Sequence, residues 1–473
     1  MKDIDRIYLD GAFVAPHGRE RLERVNPTTE AVIGRVTLGD REDARRAVAA
    51  AKAALPAYAL TSRSDRMALL RRLHTAVLRR ADDLRDATIL EYGGPVARSS
   101  WVSAYAASAF LDAAKTLETF QFERVEGQST VLREPVGVSV LITPWNSNAG
   151  SISSKLAMAL AAGCTVVIKP SEFSALQTQI LVEAFHEAHA PAGVINVING
   201  RGHDVGDELC THPDVARISF TGSNGTGTAI ARLAVGTMKR VSLGLGGKSP
   251  TLVLDDADLA HAIPLAVNAA FQNSGQACIA GTRLLVPAGR LEEVAARVAR
   301  QVAQMRVGVP ADPATVIGPM ASKAQFERVQ ACIQAGLDEG ATLLTGGLGR
   351  PAGLPQGWFV QPTVFTGVRN DMKIAREEIF GPVLSVITYR TEEEAIQLAN
   401  DSVYGLHAYV FSADEARARR VAGRLQAGRV AINGFTHDPM APFGGYKQSG
   451  IGREYGVAGL ESFLEIKAVR VGG

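Results

Sequence analysis

Cysteine is scarce in this chain of 473 residues, and the four that occur, Cys164, Cys210, Cys278 and Cys332, lie far apart. No two of them have the spacing of a disulfide framework, a metal-binding motif or a redox CxxC motif. The sequence therefore argues against a disulfide-stapled scaffold and predicts no metal site. So sparing a use of thiols is typical of a reducing compartment, and we expect a soluble, cytoplasmic protein.

Long apolar runs and an excess of one charge are also missing. The longest nearly apolar run, residues 156–168, is too short to cross a bilayer. Residues 1–6 are charged and lack the apolar core of a signal peptide. The formal net charge is only +2, with no basic run of the kind that binds nucleic acid. We therefore expect neither a membrane nor a nucleic acid as partner.

What is present is an ordinary globular composition, with 46% hydrophobic residues and 47 glycines. A chain of this length exceeds a single core, so two or more domains are expected. Residues 1–40 read as short strands and turns. Residues 40–122 show apolar positions every three or four residues, which predicts helices interrupted at Pro56 and at residues 93–95.

From residue 137 onward, buried-type strands alternate with helices. The first series predicts strands at 137–143, 165–168, 193–198, 216–220 and 240–243, and helices at 151–162, 175–188, 202–211 and 225–235. The second series predicts strands at 251–254, 282–286, 360–364, 383–388, 408–411 and 429–433, with a helix at 257–273. This rhythm predicts an α/β fold of two doubly wound, Rossmann-like domains. Residues 462–469 read as an unpaired strand that could join another sheet or subunit.

Ligands of doubly wound sheets bind at the carboxyl ends of the strands, where this chain has polar or glycine-rich turns. The turn 221–227 joins a strand to a helix N-terminus that can receive a pyrophosphate, although its glycines miss the strict dinucleotide fingerprint. Lys169 and Glu172 can hydrogen-bond ribose hydroxyls, and the amide of Asn146 can donate to an oxyanion. Each also has an ordinary structural interpretation, as does Glu378 before its Phe-Gly-Pro turn.

Cys278 lies among small and amide residues in the stretch 271–283. One interpretation is a buried structural cysteine. The other is a nucleophile on a glycine-permissive loop, where backbone N–H groups can approach a reacting atom. Alkylation with iodoacetamide distinguishes the two, since an activated thiol of low pKa reacts rapidly near neutral pH.

Seven motifs, in order, resemble those of the NAD(P)-dependent aldehyde dehydrogenases over nearly the full chain. They are Pro144-Trp-Asn146, Lys169-Pro-Ser-Glu172, Phe220-Thr-Gly-Ser223, Leu245-Gly-Gly-Lys-Ser-Pro250, Gly275-Gln-Ala-Cys278, Glu378-Ile-Phe-Gly-Pro-Val383 and Pro442-Phe-Gly-Gly-Tyr-Lys447. The resemblance implies an NAD-binding domain (1–116 and 136–246), a catalytic domain (247–447) and an oligomerisation segment (117–135 and 448–473). It also implies a homo-oligomer, either a dimer or a tetramer.

The resemblance further implies the roles of individual residues. The Cys278 thiolate attacks an aldehyde, Asn146 and the Cys278 N–H stabilise the oxyanion, and hydride transfer to the nicotinamide leaves a thioester. Glu172 beside the ribose hydroxyls disfavours a 2′-phosphate, so NAD is expected, with NADP as the alternative. The cofactor-binding residues implied are Thr143, Trp145, Lys169, Glu172, Gly202, Gly222, Ser223, Leu245, Glu378 and Phe380.

Position 244 departs from the family pattern. Hydrolytic members carry a glutamate there that activates the water for thioester cleavage, whereas this chain has Gly244. The chain could be a variant, natural or engineered, that is impaired in deacylation. Alternatively, Glu454 could serve as the base through water, or coenzyme A could accept the acyl group in place of water. A glycine here could also simply let the backbone approach the cofactor.

Positions matching the substrate tunnel include Ser147, Ser151, Ser154 and His437, where many relatives carry aromatic residues or Met. A polar or roomier tunnel predicts a semialdehyde or a larger aldehyde. The sequence also bears on two other classes of function. A structural member of the lens-crystallin kind would be expected to lose Cys278 or Asn146, and both are present. A nucleotide-binding regulator without chemistry would not need the thiol.

Overall fold

The computed structural model describes residues 3–471. Its strands are β1 (Ile7–Leu9), β2 (Ala12–Val14), β3 (Arg21–Val25), β4 (Val32–Thr37), β5 (Glu123–Glu126), β6 (Ser129–Pro135), β7 (Ser139–Ile142), β8 (Val166–Lys169), β9 (Ile195–Val197), β10 (Arg217–Thr221), β11 (Arg240–Gly244), β12 (Pro250–Val253), β13 (Arg283–Pro287), β14 (Thr342–Thr345), β15 (Thr363–Thr366), β16 (Val383–Tyr389), β17 (His407–Phe411), β18 (Arg429–Ile432), β19 (Gly450–Ile451) and β20 (Leu464–Val469).

The helices alternate with these strands after a helical block near the N-terminus. They are α1 (Arg41–Ala59), α2 (Arg63–Arg79), α3 (Ala81–Glu91), α4 (Val96–Thr119), α5 (Asn148–Ala162), α6 (Ala175–Glu187), α7 (Asp207–Thr211), α8 (Asn224–Val235), α9 (Leu259–Phe271), α10 (Leu291–Ala303), α11 (Lys323–Asp338), α12 (Lys373–Arg376), α13 (Glu392–Asn400), α14 (Glu415–Ala422) and α15 (Gly456–Glu461).

The first large sheet has the order β19-β11-β10-β7-β8-β9-β1-β2. Its five central strands, β11 to β9, run parallel, and every residue of β7 and β8 is buried. Alternate residues of these strands enter two different cores. Leu141 and Ile168 pack with α2, α4, α5 and α6, whereas Val140 and Val167 pack with α1, α7 and α8. Helices on both faces explain why the central strands are continuously apolar.

The second large sheet has the order β14-β15-β16-β13-β12-β17-β18 and is parallel except at β14. Two further hydrophobic cores cover its faces, one with α11 to α14 and the other with α9 and α10. The prediction of two doubly wound α/β units is therefore confirmed. Within residues 3–471, no helix combines the length and apolar character needed to cross a membrane.

Several local expectations were wrong. Pro56 does not end α1, which continues to Ala59. The predicted helix at 202–211 begins with a π-helical turn, and β14 was not anticipated. By contrast, the expectation that the strand at 462–469 could join another sheet is confirmed for residues 464–469, because β20 pairs antiparallel with β6, which also pairs with β5. The partner strand lies far away in sequence, so no local pattern could reveal this pairing.

The assignment of residues 448–473 to oligomerisation stays a prediction, but part of this segment belongs to the first sheet of the same chain. β19 adds antiparallel to the edge of the first sheet, with Gly450 opposite Gly244 at the end of β11. A Cβ atom on Gly450 would lie 1.7 Å from the carbonyl oxygen of Leu243, so only glycine allows this approach. The consequence is that the chain after residue 450 reaches the carboxyl edge of the first sheet.

Candidate active site

A cavity of about 230 Å³ opens at the carboxyl ends of β7, β10 and β11. This is where a doubly wound sheet is expected to bind ligands. Of the residues singled out in the sequence, it brings together Trp145, Asn146, Gly222, Ser223, Gly244, Leu245, Cys278, Glu378 and Phe380. The remaining four cofactor residues, Thr143, Lys169, Glu172 and Gly202, do not line it, and neither does Glu454. The sequence-based proposal therefore converges on one space for its nucleophile and most of its cofactor residues.

The loop that carries Cys278 has an unusual backbone. After α9 ends at Phe271, Asn273, Ser274 and Gly275 all have positive φ angles, of 53°, 58° and 73°. A Cβ atom on Gly275 would lie 2.2 Å from the main chain of Gly381, and the Ser274 hydroxyl accepts a hydrogen bond from Gly318 N at 2.9 Å. Consecutive left-handed residues are strained, and strain of this kind concentrates at functional sites.

Asn146 is held against this loop by hydrogen bonds. Its Nδ2 donates to the carbonyl of Gln276 at 2.8 Å, and its own carbonyl accepts from Asn273 Nδ2 at 3.1 Å. A side-chain amide has two N–H donors, so the second is free to point into the cavity that Asn146 shares with Cys278. Gln276, which the sequence analysis did not assign a role, is thus the residue that orients the candidate oxyanion donor.

The thiol of Cys278 rests in its protonated form at neutral pH. Burial raises its pKa to about 12, and the negative charges of Glu378 and Glu454 act in the same direction. The N–H groups of Cys278 and Ile279 act in the opposite direction. This raised pKa differs from the low pKa expected of an activated nucleophile, because burial and the two carboxylates outweigh the two N–H groups.

Alkylation of Cys278 by iodoacetamide is therefore expected to accelerate about tenfold per pH unit, without a plateau up to pH 9. Only the thiolate reacts, and its fraction grows in that proportion below the pKa. The measurement is the inactivation rate across pH, with Cys278→Ser as control, since Cys164, Cys210 and Cys332 are buried. A plateau near neutral pH would contradict a raised pKa.

Gly244 ends β11 and lies beside Thr221 at the end of β10. Its carbonyl accepts a hydrogen bond from Gly222 N at 3.1 Å. A Cβ atom at this position would lie 3.2 Å from the Thr221 hydroxyl and 3.7 Å from a carboxylate oxygen of Glu454. The missing side chain therefore leaves a space between the cavity and Glu454.

Glu454 forms an ion pair with Lys155, a buried lysine of α5 that also donates to the Ser219 hydroxyl at 2.9 Å. Burial lowers the pKa of Lys155, while Glu454 acts against that shift. Lys155 belongs to no motif, but it is the only charged residue in the otherwise apolar or small-residue helix α5, 14 of whose residues are buried. A lone charge on such a helix is a signal for a buried partner.

The cofactor side of the cavity is built from close backbone approaches. Ser223 caps α8, its hydroxyl accepting from Thr226 N at 3.4 Å, and Gly222 precedes it. Across the cavity, one carboxylate oxygen of Glu378 accepts a hydrogen bond from Gly247 N at 3.1 Å. A Cβ atom on Gly246 would lie 2.3 Å from the other carboxylate oxygen of Glu378. Burial raises the pKa of Glu378 to about 7. The helix N-terminus suits the phosphates of a dinucleotide, and the carboxylate on the other side of the glycines suits the hydroxyls of a ribose.

Lys169 and Glu172 lie on a neighbouring turn, with Lys169 Nζ at 3.7 Å from the Glu172 carboxylate. Arg201, which the sequence analysis did not single out, approaches Glu172 at 3.6 Å and Glu20 at 2.7 Å. Thr143 is buried, and its hydroxyl lies 3.4 Å from the Asn148 side chain. Gly202 begins the π-helical turn, and a Cβ atom there would meet open space.

The proposed tunnel residues differ in their surroundings. Ser147 and Ser151 are half-buried, whereas Ser154 is buried and lines a small cavity of about 10 Å³ with Lys155 and Glu454. His437 packs its ring edge-on against Trp101, Tyr105 and Tyr455. Gln325 and Arg328 of α11 also line the main cavity, and no motif in the sequence indicated them.

Comparisons with known proteins agree with this geometry. The profile of the aldehyde dehydrogenase family matches residues 13–469. The chain is 47% identical to the 3-succinoylsemialdehyde-pyridine dehydrogenase of a Pseudomonas species, over 99% of each protein. A mutant of aldehyde dehydrogenase C from Pseudomonas syringae, solved with NAD+ and octanal, superposes with a TM-score of 0.97 at 47% identity, covering 98% of this chain and 96% of that one. A betaine aldehyde dehydrogenase from Staphylococcus aureus, solved with NAD+, gives a TM-score of 0.95 at 36% identity, covering 98% and 94%.

Proposed function

The chain belongs to the aldehyde dehydrogenase family, and from this premise we propose that it oxidises an aldehyde with NAD through a covalent intermediate on Cys278. One observation carries the proposal. The thiol, the Asn146 amide and the glycine-lined surface that ends at Glu378 open into a single cavity. A nucleophile, an oxyanion donor and a dinucleotide surface in one space are what the reaction requires.

In the first half of the reaction, the Cys278 sulfur attacks the aldehyde carbon. Because the thiol is protonated at rest, its proton must leave as the bond forms. Glu378 lines the same cavity as Cys278 and has a pKa of about 7, so it is the carboxylate that would receive the proton. The second N–H of the Asn146 amide and the N–H of Cys278 stabilise the negative charge on the former carbonyl oxygen.

NAD supplies the hydride acceptor for this step when it is bound. Ser223 and the N-terminus of α8 would hold its pyrophosphate, and Glu378 would hold the ribose next to the nicotinamide. Glu172, between Lys169 and Arg201, would hold the adenosine ribose and repel a 2′-phosphate. Two similar structures contain NAD+, which supports NAD over NADP as the cofactor of this chain.

Deacylation is the step that this chain has altered. Gly244 offers no base, and Glu454 is the carboxylate that faces the space left there. A water molecule in that space could lose a proton to Glu454, but the ion pair with Lys155 stabilises the carboxylate and so weakens it as a base. We therefore favour slow hydrolysis of the thioester over acyl transfer to coenzyme A.

Rapid mixing of the enzyme with excess NAD and a reactive aldehyde tests the proposal. We expect a burst of about one NADH per active site, followed by slow turnover that Glu454→Gln slows further, because acylation is intact and deacylation is not. The measurement is NADH absorbance with and without coenzyme A. Cys278→Ser is the control and should abolish the burst.

The alternatives give different traces. Turnover restored by coenzyme A would show acyl transfer to that thiol. Rapid turnover in its absence would show an efficient base. The absence of any burst with every aldehyde tested would refute Cys278 as a competent nucleophile.

Assembly into a homodimer or a homotetramer is also proposed, through the small sheet of β5, β6 and β20. All four residues of β5 are exposed at the sheet edge, and the apolar side chains of Val125, Ile466 and Val469 are among the exposed ones. An exposed edge strand with apolar side chains is a surface on which another copy can add.

A further inference from the structure

An arginine packed on the aromatic side chains of α4 has a buried nitrogen atom without a hydrogen-bond partner. Arg98, the third residue of α4, is partly buried, and its Nε atom is buried without a hydrogen bond. Within residues 3–471, its guanidinium group takes part in no hydrogen bond or salt bridge. Buried polar groups in native proteins are almost always paired, so an unpaired guanidinium needs an explanation.

Arg98 lies near the reacting thiol. Tyr92, just before the turn into α4, accepts a hydrogen bond from Gln276 Nε2 at 3.3 Å, and Gln276 lies two residues before Cys278. Burial lowers the pKa of Arg98, and electrostatic interactions with Tyr92, Cys278 and Tyr455 raise it in part. Trp101, on which the guanidinium rests, packs against His437, one of the predicted tunnel positions, so Arg98 lies beside the predicted path of the aldehyde.

An aromatic wall holds the guanidinium in position. Its Cζ atom lies 4.6 Å from the ring centre of Trp101, which in turn stacks on Tyr105 at 5.3 Å. The edge of His437 closes the other side of these two rings. A cation–π contact fixes the plane of the guanidinium while leaving its N–H groups free, which suits two-point recognition of a carboxylate.

Carboxylates lie near the aromatic rings, because Asp438 acts on the pKa of His437 and Glu454 on that of Tyr105, but neither is among the groups that act most on Arg98. The other arginine of this wall, Arg429, is occupied by backbone carbonyls of Asp438, Ala441 and Pro442. The first turn of α4 contains no acidic residue and no side-chain cap, so the positive end of its dipole adds to the field. Of these two arginines, Arg98 is therefore the one whose guanidinium has N–H groups left for a ligand.

We propose that Arg98 binds the carboxylate of the substrate, and that the substrates are aldehydes with a carboxylate at the other end of a short carbon chain. This proposal rests on the proposed aldehyde oxidation and names its substrate class. Two parallel N–H···O bonds from the guanidinium would hold the carboxylate while the aldehyde end reaches Cys278. Arg98 is then a residue of substrate specificity rather than of the chemical step.

The test compares succinic semialdehyde with its methyl ester in the rapid-mixing assay of NADH formation. The wild-type enzyme is expected to acylate about 10- to 100-fold more efficiently with the semialdehyde, the range for hydrogen bonds to a charged group. Arg98→Leu should remove that preference and leave the rate with the ester within about twofold. Arg98→Lys should recover part of it, because it keeps the charge but loses the planar fork.

Arg300→Leu is the matched control, because it removes the same charge from an exposed position on α10. It should behave as wild type with both aldehydes. A wild-type preference for the ester would overturn the proposal. So would an equal loss with both aldehydes in Arg98→Leu, since that would indicate a structural role for the side chain.

A binding measurement separates this proposal from the proposed reaction. Succinate should raise the thermal unfolding temperature of the wild-type enzyme more than succinamide does at matched ionic strength, and Arg98→Leu should lose the difference. This readout needs no turnover. If no aldehyde yields NADH, the proposed reaction fails, while the succinate result still supports or overturns anion binding by Arg98.

Discussion

Gly244→Glu is expected to raise the steady rate of NADH formation by about 10²- to 10⁴-fold, the range that a positioned general base contributes. The burst that precedes it should be unchanged, because the new carboxylate acts only on the thioester. The φ angle of Gly244 is not positive, so a side chain is compatible with the backbone at the end of β11. The measurement is the steady slope of NADH formation after the burst.

The geometry also predicts a cost of this substitution. A Cβ atom would lie 3.2 Å from the Thr221 hydroxyl, which must move slightly, and the new carboxylate would lie near Glu454. Like charges raise the pKa of one of the two groups, so the steady rate should rise with pH until that carboxylate is ionised. Gly244→Gln is the matched control, since it has the same size without the base. Equal gains in both variants would show that filling the space, not base catalysis, accelerates deacylation.

Asn146→Ala is expected to slow the burst by about 10²- to 10³-fold, the loss typical of one oxyanion donor. The burst amplitude should remain near that of the wild type, because the thiol and its reaction are otherwise intact. The measurement is the rate constant of the burst at saturating NAD and aldehyde. Cofactor affinity should change little, since the amide bonds to Gln276 rather than to the cofactor surface.

A structural control is needed here, because the same amide holds the loop of Cys278 through Gln276. Asn146→Asp keeps the size of the side chain but removes both N–H donors. If the two variants slow the burst alike and unfold at the wild-type temperature, the amide acts on the oxyanion. A burst that survives at full rate in both would refute this role.

The parallel alternation, and the grouping of Cys278 with most of the predicted cofactor residues in one cavity, could be predicted because both depend on local sequence. Buried strands such as β7 and β8 are apolar at every position, and the motif around Cys278 is short and contiguous. The pairing of β20 with β6 could not be predicted, since it joins distant segments. The same applies to the ion pair of Lys155 with Glu454 and to the unpaired state of Arg98, which depend on tertiary packing.

The pKa of Cys278 shows a second limit of sequence reasoning. A motif singles out Cys278 as the candidate nucleophile, but burial and two carboxylates determine its protonation. Neither contribution is readable from the residues beside it in the chain. The direction of the shift therefore had to come from the structure.

The pairing of β20 with β6 has a consequence for how the protein is made. Lys467 on β20 donates to Glu134 on β6 at 2.7 Å, across 333 residues of sequence. β19 and Glu454 lie in the same final stretch of the chain. During synthesis, the first sheet therefore leaves the ribosome long before the residues that complete its edge. A nascent chain can collapse around β7 and β8 before Glu454 is synthesised, so termination before residue 454 would yield a protein without this carboxylate.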